Sequence, residues 1–338
     1  MRGGARGPHA RRTFCTLSVR PRAPTKQMGL FQRPARAVDR EEAAHLPVLA
    51  DEVTFLLRPR RGGWMVDGTI GMGGHAERLL DAGDGARLLG IDQDPEALHR
   101  AAQRLARFAG RVVLRHGSFR QLAELAHEAG VGEAAATVLD LGLSSYQLEG
   151  SGRGFSFQHD EALDMRFDPT RGPTAADLLD SLAPDEIARV LFEYGEERHA
   201  RRIARRIAER RRRSPLRTTA DLVAAVKAAV PRAAWSARIH VATRTFQAVR
   251  MAVNDEALAL TEALPQAAAL LGRGGRLGVI SFHSGEDRIV KRSFRSLKDS
   301  GGFAEVWPAP IEPGPDEVKD NPRARSAKLR VLERLEAA

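Results

Sequence analysis

Three aspartates, Asp67, Asp92 and Asp140, each close a short apolar run, and the first opens a glycine-rich segment, DGTIGMGGHA, that ends at Ala76. Gly71, Gly73 and Ala76 fit the glycine pattern of dinucleotide-binding domains, and Asp92 follows at the distance where an acid would hold a ribose. A tight turn between a strand and a helix has the same signature, so the glycines alone do not specify a ligand.

Charge separates the possibilities. A pyrophosphate is best held by bare amides at a helix N-terminus, where a carboxylate such as Asp67 would repel it. Strand ends of an open parallel sheet converge on one crevice, which here would hold Asp67, Asp92, Asp94 and Asp140. An acidic crevice suits a cofactor with an ammonium and a sulfonium and no phosphate, which is the chemistry of S-adenosylmethionine. On this reading the glycines admit its methionine portion, Asp92 accepts from the ribose hydroxyls and Phe119 flanks the adenine. Asp94, directly before Pro95, reads as a helix cap.

A long segment rich in Ser, Arg and Phe follows Asp140: DLGLSSYQLEGSGRGFSFQHDEALDMRFD. Its composition fits a surface loop with local turns, but long loops also carry function. Asp140, Ser144 and Ser145 are candidate acceptors for the N–H groups of an amine. Arg153, Phe155 and Arg166 are candidate contacts for a phosphate or an unstacked base. Arginines 198, 201, 202, 205, 206 and 210 to 213 crowd one predicted helix. That helix reads either as a solvated face or as an RNA contact through residues such as Arg202 and Arg206. Arg244 and His283 are further candidates, each with a structural alternative as a salt-bridge or hydrogen-bonded residue.

These residues need elements to position them. Apolar runs at 63–67, 87–92, 111–116 and 134–141 read as strands, separated by helical patterns at 75–82, 95–108 and 119–129. That alternation predicts a doubly wound, Rossmann-like α/β sheet with parallel strands. It then stops, and helices are expected at 184–194, 196–213 and 220–230, the last opened by a Thr218 to Asp221 capping pattern. Helices at 243–253 and 256–271, the latter interrupted by Pro265, lead through a glycine turn at 272–275 into the strand RLGVISF. The expected organisation is a basic, disordered extension over 1–44, a discontinuous catalytic domain over 45–145 and 236–338, and an inserted helical subdomain over 146–235.

Composition bounds the rest. Nine arginines and Lys26 oppose only Asp39 in the first 40 residues, so nearly all of the +10 net charge sits there and the other residues are close to neutral. RNA contact must therefore come from local clusters, the arginine helix and NPRARSAKLR at 321–330. The extension reads as a bacterial tail or an over-extended start with Met28 as an internal alternative, or as a transit peptide. Cys15, the only cysteine, excludes internal disulfides and cysteine-based metal clusters, and no apolar run is long enough to span a bilayer. Methylation of a cytosine at C5 would require a thiolate, and the only thiol lies in the extension.

HLPVLADEV, VDGTIGMGGH, GIDQDP, HGSF, DLGLSSYQLE, RGFSF, LDMRFD, YGEER, ATRTFQAVRMAVN, GGRLGVISFHSGEDRIVK and NPRARSAKLR occur in that order. Together they resemble the bacterial small-subunit ribosomal RNA cytosine-N4 methyltransferases, the RsmH or MraW family, which has mitochondrial relatives. The resemblance runs from about His45 to Arg330. It implies a class I methyltransferase fold and methyl transfer from S-adenosylmethionine to the exocyclic N4 of a cytidine in the decoding region. The cofactor contacts it implies are Gly73, Gly74, His75, Asp92, Phe119, Asp140 and Gln147. The small ribosomal subunit and its rRNA would be the partner, with no metal, no membrane and no disulfide partner, and a homodimer is left open. The cytoplasm would be the site of action, or the mitochondrial matrix if the extension is a transit peptide. Val241 stands where the family usually has Pro, and Gly285 where it usually has Leu. A non-catalytic assembly factor, an NAD-dependent oxidoreductase and an amino-methyltransferase of another nucleic acid are the rival readings.

Overall fold

A computed structural model describes residues 47–336 apart from 60, 61 and 238. The basic extension, Cys15 and His45 lie outside the described residues.

Four strands, β1 (Trp64–Asp67), β2 (Arg87–Asp92), β3 (Val112–His116) and β4 (Ala134–Asp140), pair in parallel in the order β3-β2-β1-β4. Helices α2 (Gly74–Ala82), α3 (Pro95–Arg104) and α4 (Leu122–Glu128) form the crossovers between them, and α1 (Ala50–Leu57) precedes β1. Met65 and Val66 are both fully buried on opposite faces of β1, because helices cover both sides of the sheet. That two-sided burial is why these strands read as continuous apolar runs. Register sets Asp67 beside Gly90 and Val138, and Asp140 beside Ile280, so the aspartates that end β1, β2 and β4 meet at one edge.

The sheet continues with β5 (Leu271–Ser281), parallel to β4, then with β7 (Lys328–Arg334), antiparallel to β5, and β6 (Phe303–Glu305), antiparallel to β7. The seven-stranded order is β3-β2-β1-β4-β5-β7-β6. The glycines expected as a turn before β5 lie inside it. Opposite Ala134 and Ala136 the β5 register jumps from Leu271 to Arg276, so Gly272 to Gly275 are accommodated as an irregularity of the strand.

Between β4 and β5 the chain forms α5 (Ser145–Glu149), α6 (Ala175–Ser181), α7 (Pro184–Gly195), α8 (Ala200–Arg211), α9 (Thr219–Ala229), α10 (Thr243–Val253) and α11 (Glu256–Leu270). Helix α9 opens on the expected Thr218 and Asp221 capping box. Helix α8 starts at Ala200 and not at Glu196, because Glu196 adopts the left-handed conformation that closes α7. Helix α11 is continuous through Pro265, with Leu264, Ala267 and Ala268 buried against the sheet; their packing offsets an interior proline that costs about 3 kcal/mol.

The helices have a hydrophobic cluster of their own, which includes Phe155, Leu191, Ile203, Ile207 and Leu222. It extends past residue 235 to Ala242, just before α10, and to Phe246 and Val249 of α10. Burying Ile203 and Ile207 contributes about 1.5–3 kcal/mol each, and it turns Arg201, Arg202, Arg205 and Arg206 outward to solvent. Gly195 is where α7 meets α10: a Cβ there would lie 2.5 Å from the Arg244 carbonyl oxygen. After β5 the chain continues through α12 (Ser284–Asp299) and α13 (Pro315–Asp320). None of the described helices is long and apolar enough to cross a membrane.

Candidate active site

The loop after β1 is fastened to both neighbouring strands. Gly68 N donates to the Val138 carbonyl at 3.0 Å and Ile70 N to the Ile91 carbonyl at 2.9 Å. Gly71 and Gly73 have φ of 49° and 81°, a region that glycine enters without a Cβ penalty. The turn delivers Gly74 and His75 to the start of α2 and into a cleft at the C-terminal edge of the sheet.

Gly74, His75, Asp92, Phe119, Asp140 and Gln147 line that cleft. Gly73 shapes the turn beneath it and is not among the lining residues. The Asp92 carboxylate accepts from Gly71 N at 2.8 Å and from Asp94 N at 2.9 Å, which ties the glycine turn to the end of β2. Gln147 is buried, reaching Asp94 Oδ2 from Nε2 at 3.4 Å and accepting from Ser144 N at 3.0 Å. Asp94 is the expected cap, accepting from Glu96 N at 3.1 Å.

Burial raises the Asp67 carboxyl to about 7, opposed by the nearby His75. It raises Asp92 to about 6, opposed by the amides of Asp94 and Gly71. His75 Nε2 lies 3.5 Å from Asp140 Oδ2, and neither His75 Nε2 nor Asp140 Oδ1 has a hydrogen-bond partner although both are buried. Buried polar atoms are seldom left unpaired, so these two are fitted to a donor or acceptor brought by a ligand. A cationic, phosphate-free cofactor meets that condition. Of the arginines lining the cleft, Arg104 is held by Glu77 at 2.8 Å and Arg323 by Glu149.

The two serines are already engaged. Ser144 Oγ accepts from Gln147 N at 3.2 Å as the cap of α5, and Ser145 Oγ accepts from Arg323. Arg153 does not present a free guanidinium: it pairs with the buried Asp94 and donates to the carbonyls of Arg166 and Phe167 at 3.1 and 3.0 Å. Arg166 grips Asp164, from Nε at 2.8 Å and from Nη2 at 2.7 Å. Phe155 is buried and stacks on Phe167 with ring centroids 5.7 Å apart, which leaves no face for a base. Arg244 donates to the Glu196 carbonyl at 3.0 Å, and His283 caps α12 by accepting from Glu286 N at Nδ1 (3.4 Å), its Nε2 lying 3.0 Å from Glu286 Oε1. Arg202 and Arg206 stay on the solvent face of α8, Arg206 sharing Glu209 at 3.2 Å.

Glu256, Glu286, Met251 and Phe282 also line the cleft and were not singled out from the sequence as site residues. The signal for them was faint: an Arg-Met and an Asp-Glu pair at the end of an amphipathic helix, and an acid three residues after a histidine.

A doubly wound sheet with acidic strand ends around a glycine turn has the layout of a class I methyltransferase. The sequence profile of the MraW methylase family matches residues 42–335, and the chain belongs to that family. It is 47% identical over 308 residues to the ribosomal RNA small subunit methyltransferase H of Geotalea uraniireducens, covering 86% of this chain and 98% of that one. It is 49% identical over 294 residues to the protein of the same name in Deinococcus radiodurans, covering 87% and 91% of the two chains.

Proposed function

We propose that the protein transfers the methyl group of S-adenosylmethionine to the exocyclic N4 of a cytidine in the decoding region of small-subunit ribosomal RNA. The observation that carries this reading is the nearly full-length match to relatives named as small-subunit rRNA methyltransferases. The acidic cleft with its unpaired His75 and Asp140 atoms supports the cofactor.

When bound, the cofactor supplies an electrophilic methyl group on a sulfonium whose departing electron pair stays on sulfur. Gly73 and Gly74 give the backbone access to its methionine portion, with His75 and Gln147 beside it. Asp92 accepts from the ribose, and Phe119 flanks the adenine. An exocyclic cytosine amine is a weak nucleophile because its lone pair is delocalised into the ring, so the protein must orient it and accept from its N–H groups. N4 gives up one proton as it gains the methyl, and Asp140, with an unpaired buried oxygen, accepts it. The target base must leave any stack to reach the cleft. Residues 146–235 serve as the substrate-recognition part, with Arg202 and Arg206 on α8 meeting RNA phosphates. The reaction takes place in the cytoplasm, on the small subunit.

The test is to incubate the protein with labelled S-adenosylmethionine and small subunits, naked rRNA or DNA, and to identify the modified nucleoside. Label in N4-methylcytidine of the rRNA is expected. Label in C5-methylcytidine, or only in DNA, would sink the reaction.

A further inference from the structure

The floor of the cleft carries charge that neither the sheet nor the cofactor residues account for. Glu256 at the start of α11 and Glu286 in the first turn of α12 both line it. Arg250 of α10 donates from Nε and Nη2 to the two oxygens of Glu256 at 2.7 and 2.8 Å. Glu286 is 4% exposed, accepts from Phe282 N at 2.8 Å and lies 3.0 Å from His283 Nε2.

This network sets the Arg250 guanidinium and the His283 imidazole against two carboxylates in a nearly dry place. Burial pushes the Glu256 carboxyl above its ordinary range, although Arg250 pulls it back. Buried negative charge is costly unless donors meet it; each carboxylate here has donors from the fold and keeps lone pairs for a further one. The apolar residues Leu143, Phe167, Met251 and Phe282 line the same cleft. Apolar walls with acceptors at one end suit a planar ring whose edge carries N–H groups.

We propose that Glu256 and Glu286 seat the amino edge of the acceptor base, accepting the N–H that is not given up to Asp140 and so admitting cytosine while rejecting uracil. The inference rests on the cytidine reading above and names the groups that select the base. A carboxylate accepts from cytosine N4, whereas the uracil O4 would face it oxygen to oxygen. A site built to receive a donor discriminates strongly against an analogue that lacks one. With one N–H held by these carboxylates and the other directed to Asp140, the amine can pyramidalise toward the methyl donor. Arg250 and His283 are positioning residues that hold the two carboxylates in place.

The experiment uses the full chain with Glu256→Gln and Glu286→Gln, singly and together. Thermal melting reports the fold, and calorimetry with S-adenosylhomocysteine reports the cofactor side. With that compound present, saturation-transfer NMR compares binding of cytidine and uridine monophosphates. Transfer to unmodified small subunits is then measured. The wild type should prefer the cytidine nucleotide by about tenfold or more, and the variants should lose that preference. Their transfer rate should fall about tenfold to a hundredfold, with S-adenosylhomocysteine affinity within about twofold. Should the Gln variants melt early, Glu256→Asp, which keeps the charge and withdraws it by one methylene, must still lose the preference. A wild type that binds both nucleotides equally or neither, variants that keep the preference, or a loss confined to S-adenosylhomocysteine affinity would each overturn the seat. Wild-type label on a base other than cytidine would sink the function proposed above, whereas unimpaired cytidine methylation by the variants would sink only this inference.

Discussion

The loops after β1 and β4 leave adjacent parallel strands at the same edge of the sheet, yet they use their polar side chains in opposite ways. After β1, backbone amides do the fastening, and His75 Nε2 is left buried without a hydrogen-bond partner, 3.5 Å from Asp140 Oδ2; Asp140, at the end of β4, likewise has no hydrogen bond at Oδ1. Further along the loop after β4, Arg153 and Arg166 are consumed by Asp94, Asp164 and main-chain carbonyls. Side-chain type alone pointed to both loops as functional. What separates them is whether the fold already satisfies the group, and an unsatisfied buried atom is the better sign of a ligand.

The sharpest way to break this comparison is Arg153→Ala. It strands the buried Asp94 carboxylate, and a loss of about 3–5 kcal/mol in chemical denaturation is expected. If Arg153 were instead an RNA contact, stability would hold and only RNA affinity would fall. Next comes Asp92→Ala on the other loop, where removing a charged acceptor should weaken S-adenosylmethionine binding by about 1.5–3 kcal/mol in calorimetry. Unchanged affinity would show that the strand-end acid only braces the glycine turn.

A smaller effect is expected from pH. Asp67 and Asp92 titrate near 7 and 6 because burial raises them. A cationic ligand favours the ionised carboxylates, so its affinity should fall as pH drops through these values. The stability contribution runs the other way: with folded pKa values above the unfolded 3.8, it is present in full only below that value and is lost as pH rises from there to about 6 for Asp92 and about 7 for Asp67. Asp67→Asn should flatten both trends, measured by calorimetry and by melting across pH 5 to 8.

The smallest expected change in stability is for Arg202→Ala with Arg206→Ala, within about 0.5 kcal/mol, because both are on an exposed face. RNA affinity should weaken evenly across sequences, and its salt dependence should drop by about one unit of slope per lost phosphate contact. An unaltered salt slope would return α8 to the status of a solvated helix.

The parallel strands and their acidic ends were legible because two-sided burial writes them as apolar runs and because the register of a parallel sheet collects the ends on one edge. Helix caps at Asp94 and Thr218 were equally local and equally readable. Less was visible where partners are far apart in sequence. Nothing adjacent to Arg153 reveals that Asp94 waits 59 residues earlier. Similarly, Glu256 and Glu286 become neighbours only once α11 and α12 pack together. The strands β6 and β7 escaped for a further reason: β6 has only three residues, and β7, KLRVLER, mixes charge with its apolar positions, as befits strands near a sheet margin.

The place of β7 within the sheet bears on the order in which the protein can be made. It lies between β5 and β6, and Arg323, just before it, fastens Ser145 and Glu149 beside the cleft. During synthesis the first strands can associate as they emerge, since chains fold from the N-terminal side. The cleft, however, acquires the Arg323 part of its wall only after that residue has left the ribosome.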